Sequence, residues 1–367
     1  MIQDMGCGMK DKQGTNIGPA SNTQPKPGLT RIVLLGLALA ALLVLLALWV
    51  LTTKPDAGAK RVFVYDMEAL RKIDPALIQF QEERRIESGF THVARLALNA
   101  GGSVLVAGDN AVRTFGPDGQ PAGEIKLAGP ACAVAVGADG KVYAGLRDHV
   151  EVYDGQGALA AKWESLGPGA RITALAVAAE DAYIADFGPR VVWRCELSGK
   201  VRNKLGARDN ARNVPGLIAP SPHLDLACGP DGWVYVCNPG RFRIEAYTPA
   251  GDLEQQWGKP GMGIEGFCGC CNPIAFALCP RPKGGFVTSE KGVARVKVLD
   301  GDGNLESVVA GPGSFGEDAF GAGVAVDQQG RVYVLDTGTR AVRVFSKRGV
   351  QTGTPERSPQ RHRDTEK

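Results

Sequence analysis

A Gly-x-Val segment recurs through this chain and limits the folds open to it. Five clear copies are Gly102-Ser103-Val104-Leu105, Gly140-Lys141-Val142-Tyr143, Gly232-Trp233-Val234-Tyr235, Gly285-Phe286-Val287-Thr288 and Gly330-Arg331-Val332-Tyr333. A sixth, degenerate copy is Ala182-Tyr183-Ile184. The aligned positions 104, 142, 182, 234, 287 and 332 lie 38, 40, 52, 53 and 45 residues apart. A period near forty, with strand-like alternation and turn residues between the runs, marks the blades of a propeller. A propeller hosts many functions, so function has to be argued from a site.

Each repeat divides into four strands. The innermost pairs small with apolar residues, as in Ala133-Val134-Ala135-Val136, Leu175-Ala176-Val177 and Val324-Ala325-Val326. Small side chains suit the crowded channel wall. Gly-x-Val is the second strand. The third recurs as Val150-Glu151-Val152-Tyr153, Arg243-Ile244-Glu245-Ala246-Tyr247, Arg295-Val296-Lys297-Val298 and Val342-Arg343-Val344-Phe345. Turn pairs such as Asp118-Gly119, Asp154-Gly155 and Asp302-Gly303 lead into the fourth. The last repeat lacks its own fourth strand. The run Arg61-Val62-Phe63-Val64-Tyr65 is expected to supply it, as a closing strand over 61–66 that leaves no open edge. Residues 67–90 read as a helix-compatible excursion. The fold class is therefore all-β, a six-bladed β-propeller.

The ends of the chain differ in kind. Residues 32–51 are twenty consecutive uncharged, apolar positions. At 1.5 Å per residue they span the roughly 30 Å hydrocarbon core. The run is longer than a usual signal-peptide core and about thirty residues precede it, which favours a retained anchor over a cleaved leader. The expected organisation is a disordered cytoplasmic segment over 1–30, a transmembrane signal anchor over 31–52, a propeller over 53–348 and a disordered tail over 349–367. Lysines and arginines on the two sides of the span nearly balance. A single N-terminal span ahead of a large domain places that domain outside the cytoplasm, here on the periplasmic face of an inner membrane. A net charge of +3 and the lack of a basic cluster interleaved with aromatics argue against nucleic acid.

The Pro-Asp-Gly-like turns, the Val-Tyr-Val runs and the Arg-(Ile/Val)-x-(Val/Ala)-(Tyr/Phe) third strands resemble the NHL-repeat propeller family over roughly 61–348. The fourth repeat fits best, from Pro230-Asp231-Gly232 through Arg243-Ile244, and the third departs most, with Glu180-Asp181 in place of the turn. The resemblance implies a six-bladed propeller. It also implies peptide-, protein- or RNA-binding roles, or, in a few members, lyase activity.

Two connections between repeats are long. One runs over 206–221. The other runs over 259–273 and ends in Gly266-Phe267-Cys268-Gly269-Cys270-Cys271-Asn272-Pro273. Strand direction puts both on the face where innermost strands enter the ring. His223, Asn238, Asn272, Glu290, Lys291 and Asp336 map to that face and are the expected binding residues of the channel mouth. Of nine cysteines, Cys7 precedes the span, leaving eight in the propeller. An exported domain with an even count suits disulfides. The second reading is a metal or iron–sulfur centre on the thiols of Cys268, Cys270 and Cys271 with Cys237 or His223, although Cys-x-Cys-Cys is not the common Cys-x-x-Cys spacing. A redox-active Cys270–Cys271 pair and free buried thiols complete the alternatives.

Histidine occurs only at 92, 149, 223 and 362. The zinc-dependent amidoglycolate lyases of this fold need several channel histidines, which this chain lacks. Gluconolactonase-like propellers hold a divalent metal through Glu and Asn or Asp, for which Glu290, Asn238, Asn272 and Asp336 are the available substitutes. There is no Gly-x-Ser-x-Gly elbow, phosphate-binding glycine loop or Cys-x-x-Cys-His haem site. The leading expectation is a membrane-anchored binding or scaffold module. It takes a protein or small molecule on the face bearing the 259–273 loop. A thiol- or metal-based redox protein is the alternative, and a divalent-metal lactonase or lyase the second.

Overall fold

A computed structural model describes residues 28–52, 66–269, 272–316 and 318–349. Two compact units divide the chain, one up to Tyr65 and one from Asp66 onward. In the first, Leu29–Thr52 is a single helix. Its stretch Thr30–Trp49 is long and apolar enough to cross a membrane, with a mean hydropathy of 2.9. Apolar side chains on every side are what a lipid environment accommodates.

The second unit is a six-bladed β-propeller built from six four-stranded antiparallel sheets. The innermost strands are Val93–Leu98, Ala133–Val136, Ile172–Ala178, Leu226–Cys228, Ala275–Leu278 and Gly321–Val326. Each packs against the innermost strand of both neighbours, and Val93–Leu98 meets Gly321–Val326 to complete the ring. Turn chemistry explains the repeated glycine. Gly102, Gly140, Gly232 and Gly330 hold φ of +79°, +78°, +82° and +77°, a region that side-chain-bearing residues avoid. An aspartate one to three residues before the glycine caps several of these turns. Asp139, Asp231 and Asp327 accept from the backbone N–H of Lys141, Trp233 and Gln329.

Hydrophobic cores lie between neighbouring blades. Between the fourth and fifth, Tyr235 stacks on Trp257 at 5.7 Å and Trp257 meets Phe286 at 5.0 Å. Each buried apolar side chain of this size contributes about 1.5–3 kcal/mol.

Ring closure differs from the sequence expectation. The outer strand of the last blade is Phe80–Glu87, antiparallel to Ala341–Lys347 from Phe80↔Lys347 to Glu87↔Ala341. The 61–65 run expected there lies outside the described residues, and its place on the blade is taken. Phe80–Glu87 reads as polar and helix-compatible because it is an edge strand. Only Phe80 and Ile86 are buried, while charged residues occupy most of its other positions, as suits a strand facing solvent. Ahead of it, the expected excursion is a short helix, Met67–Arg71, and a 3₁₀ turn, Pro75–Leu77.

Candidate functional site

The innermost strands surround a channel that is divided into two cups. One opens on the face where these strands enter, has a volume of about 250 Å³ and is lined by Cys132, Arg171, His223, Phe320 and Thr337. The other, about 390 Å³, opens at the strands' far ends past Leu98, Val136, Val177, Cys228, Leu278 and Val326. Arg95 lines both and forms the partition.

Arg95 stands on the first blade's innermost strand and reaches across the ring. Its Nε donates to Thr173 O at 3.0 Å, one Nη donates to Ala322 O, and the other reaches Leu224 O at 3.5 Å. One guanidinium thus ties the first blade to the third, fourth and sixth. It is 8% exposed. All three bonds run to neutral carbonyls, and among the described residues it forms no ion pair. Below it, Asp225 accepts from Leu226 N and Phe276 N, each at 3.0 Å. Burial nevertheless lifts this carboxyl above its usual range, against the pull of Arg95 and the two N–H groups.

Above the partition the wall is cationic. The Arg171 guanidinium lies 5.5 Å from the Phe187 ring centroid. Lys291 Nζ donates to Ser221 Oγ at 3.1 Å. The His223 ring meets Phe320 edge-to-face at 5.7 Å. Burial, reinforced by Arg95, Lys291 and Arg171, pushes the His223 pKa down to about 4, so this imidazole is neutral at pH 7.

Of the six expected mouth residues, His223 lines the cup and Lys291 stands beside it. The other four act inside the fold, a correction to the sequence reading. Asn238 is fully buried. It accepts from Ile218 N at 2.9 Å and donates to Glu245 Oε2 at 3.0 Å, fastening the 206–221 connection. Asn272 donates to Cys268 O and accepts from Lys291 N at 3.0 Å. The peptide bond between Asn272 and Pro273 is cis. Asp336 accepts from Gly338 N at 2.9 Å and from Arg343 Nη1 at 3.2 Å.

Glu290 is the centre of a buried charge cluster. Its carboxylate accepts from Arg295 Nε at 3.0 Å and from Lys297 Nζ at 2.8 Å. Cys268 N also donates to it at 3.3 Å. Lys297 Nζ further donates to Gly266 O at 2.8 Å and Ile264 O at 3.0 Å, and it lies 4.6 Å from the Phe267 ring centroid. The cluster clamps the 259–268 segment to the fifth blade. Burial lowers the Lys297 pKa despite Glu290. These four residues are tied into internal hydrogen-bond networks, with Glu290 and Asn272 both bonded to the Cys268 backbone.

Cys237 and Cys268 are buried free thiols, and Cys132, Cys195, Cys228 and Cys279 are also free. Cys270 and Cys271 lie outside the described residues. Among the described residues, no three His, Cys, Asp or Glu side chains group to hold a metal ion. Sequence reasoning missed Arg95 and Arg171. Arg95 had one available signal: it is the only charged residue in the innermost strand Val93–Leu98.

No protein-family model matches the chain, and no curated protein does. Several solved structures share its shape. Virginiamycin B lyase from Staphylococcus aureus is 11% identical, with 73% of this chain and 99% of that chain covered and a TM-score of 0.51. A structural-genomics protein of unknown function from Bacteroides thetaiotaomicron is 17% identical, covering 73% of this chain and 72% of that chain, with a TM-score of 0.55. A streptogramin B lyase is 14% identical, covering 70% and 79%, at 0.49. At these identities the likeness shows the fold alone. The chain is a six-bladed β-propeller with one N-terminal helix able to cross a membrane.

Proposed function

We propose that this protein is a membrane-anchored, NHL-like binding module that holds its ligand in the cup above Arg95. The helix Thr30–Trp49 is the anchor, and the propeller faces the periplasm or cell exterior. One observation carries the reading: Arg95 closes the channel into a blind cup lined by His223 and Arg171, with Lys291 beside it. His223, Arg171 and Lys291 come from separate blades or their connections, and only the closed ring brings them together. Loops on a rigid scaffold around a concave, partly apolar cup are a general arrangement for recognition. The described parts of the 259–273 connection and the Lys291 turn lie on the same face and extend the surface around the cup.

Native mass spectrometry of the full chain, extracted from membranes in detergent, tests this. A non-covalent adduct is expected on the wild type, and its loss on His223→Trp, which fills the cup, at an unchanged melting temperature. Identical spectra from the two proteins would sink the reading.

A further inference from the structure

We propose that the cup takes a small organic anion, with one acidic group on Arg95 at the floor and a second between Arg171 and Lys291 at the rim. This rests on the binding-module reading and assigns its ligand class.

The argument begins with charge. A guanidinium that is 8% exposed, hydrogen-bonded only to carbonyl oxygens, carries a full positive charge into a low-dielectric wall with no direct ion pair among the described residues, although the buried Asp225 carboxyl beneath it feels its charge. Guanidinium has five N–H donors in a planar fork that matches a carboxylate. Three carbonyls do not exhaust them. At the rim, Arg171 rests on an aromatic face and Lys291 on a hydroxyl, so neither is neutralised by a carboxylate among the described residues.

The carboxylates near this face lie outside the lining of the cup, Asp318 sharing a neighbouring pocket with Lys291 and the others holding internal partners. Asp186 accepts from Arg171 N at 2.7 Å, Gly188 N at 3.0 Å and Trp193 Nε1 at 3.0 Å. Asp109 accepts from Thr91 N and His92 N, each at 2.9 Å. Asp336 is paired with Arg343 and Glu290 with Arg295 and Lys297. Asp225 lies beneath the partition, where burial raises its pKa against the pull of Arg95 and two backbone N–H groups. Among the described residues, the lining of the cup itself holds Arg95 and Arg171 and no carboxylate, although the whole chain carries only +3, and concave walls focus such a field on an incoming anion. Neutral His223 adds a donor and an acceptor, and Phe320 an apolar wall, which suits a carbon skeleton between two acidic groups. A volume of about 250 Å³ falls below the roughly 300–1,000 Å³ of drug-sized sites, so the ligand is small.

The test is calorimetric titration of the full chain in detergent at low salt with succinate, its uncharged diamide and inorganic phosphate. Succinate should bind at least tenfold more tightly than the diamide. Arg171→Gln and Lys291→Gln should each weaken it about tenfold. Arg281→Gln, at the opposite face, should leave it unchanged. Arg171 is exposed and its side chain makes no hydrogen bond among the described residues, so Arg171→Gln should keep the wild-type melting temperature. Succinate should also raise the His223 pKa, read by NMR of the imidazole protons, from about 4. Phosphate binding that Arg171→Gln abolishes also supports the anion class. Equal binding of succinate and its diamide, or succinate binding indifferent to both rim variants, overturns it. Failure of both anions to bind, alongside a persistent His223-dependent adduct in native spectra, overturns the anion class and leaves the binding module standing. Loss of that adduct too overturns both.

Discussion

Arg343 holds Glu82 across 261 residues of chain, its Nε donating to Glu82 Oε2 at 3.0 Å. The same guanidinium donates to Asp336 Oδ2 at 3.2 Å and to Ser314 O at 2.6 Å. It therefore joins the first strand of the propeller to the last blade and ties down the turn at Asp336.

Arg343→Met should cost about 3–5 kcal/mol, because it leaves the buried Asp336 carboxylate without its cation. Glu82→Gln should cost no more than about 1 kcal/mol, since Glu82 is 27% exposed on its side chain. Burial raises the Glu82 pKa, and Arg343 and Arg85 more than reverse that, leaving it lowered. Its stabilising share is thus present above the unfolded pKa of 4.5 and fades as pH falls through the lower folded value. Urea unfolding at pH 7 and pH 4 reads both effects. A Glu82→Gln cost equal to that of Arg343→Met would contradict this account.

Removing Glu290 should be worse than removing one of its cations. Glu290→Gln leaves Arg295 and Lys297 buried together, at a cost of about 3–5 kcal/mol. Lys297→Met keeps the Glu290–Arg295 pair and forfeits donors to Gly266 O and Ile264 O, about 1–3 kcal/mol. The double variant should be less unstable than the sum of the singles. Chemical denaturation of the three proteins checks the order, and strict additivity would argue against coupling.

His223 should make stability depend on pH. Arg95, Arg171 and Lys291 face it, along with Phe320. Its folded pKa of about 4 lies below the ordinary 6.5, so the unfolded chain binds the extra proton between those values. Stability should therefore rise with pH from 4 to 6.5, by on the order of 2 kcal/mol for this partly exposed group. His223→Asn should flatten that part of the curve. An unchanged slope in the variant would remove His223 as its source.

The six described thiols should resist alkylation in the native protein. Burial raises all of them, Cys195 and Cys228 to about 12 and Cys279 to about 11. Iodoacetamide at pH 7.5 should label them at least about tenfold more slowly than after unfolding in urea without reductant. Peptide mass spectrometry resolves each site. Fast native labelling of Cys195 or Cys228 would contradict their placement, and absence of labelling after unfolding would indicate that they are bridged.

The blades and the apolar helix were legible because their causes are local. A glycine at positive φ, an aspartate one to three residues before it and a period-2 run lie within a few positions of one another, so Gly140, Gly232 and Gly330 announce their own hairpins. Strand direction is enough to put His223 and Lys291 on the face of the cup. Strand ends alone cannot tell a side chain facing the cup from one buried in the blade, as Glu290, Asn238, Asn272 and Asp336 are. Two decisions came only from tertiary structure. Which segment closes the ring depends on Phe80, Glu82 and Ile86 meeting a strand some 260 residues away, a pairing with no local signature. Arg95 has no role until six innermost strands converge, because its acceptors, Thr173, Leu224 and Ala322, lie on three other blades. Local periodicity sets the elements. The channel exists only where distant elements meet, so its partition and its charge are properties of the closed ring.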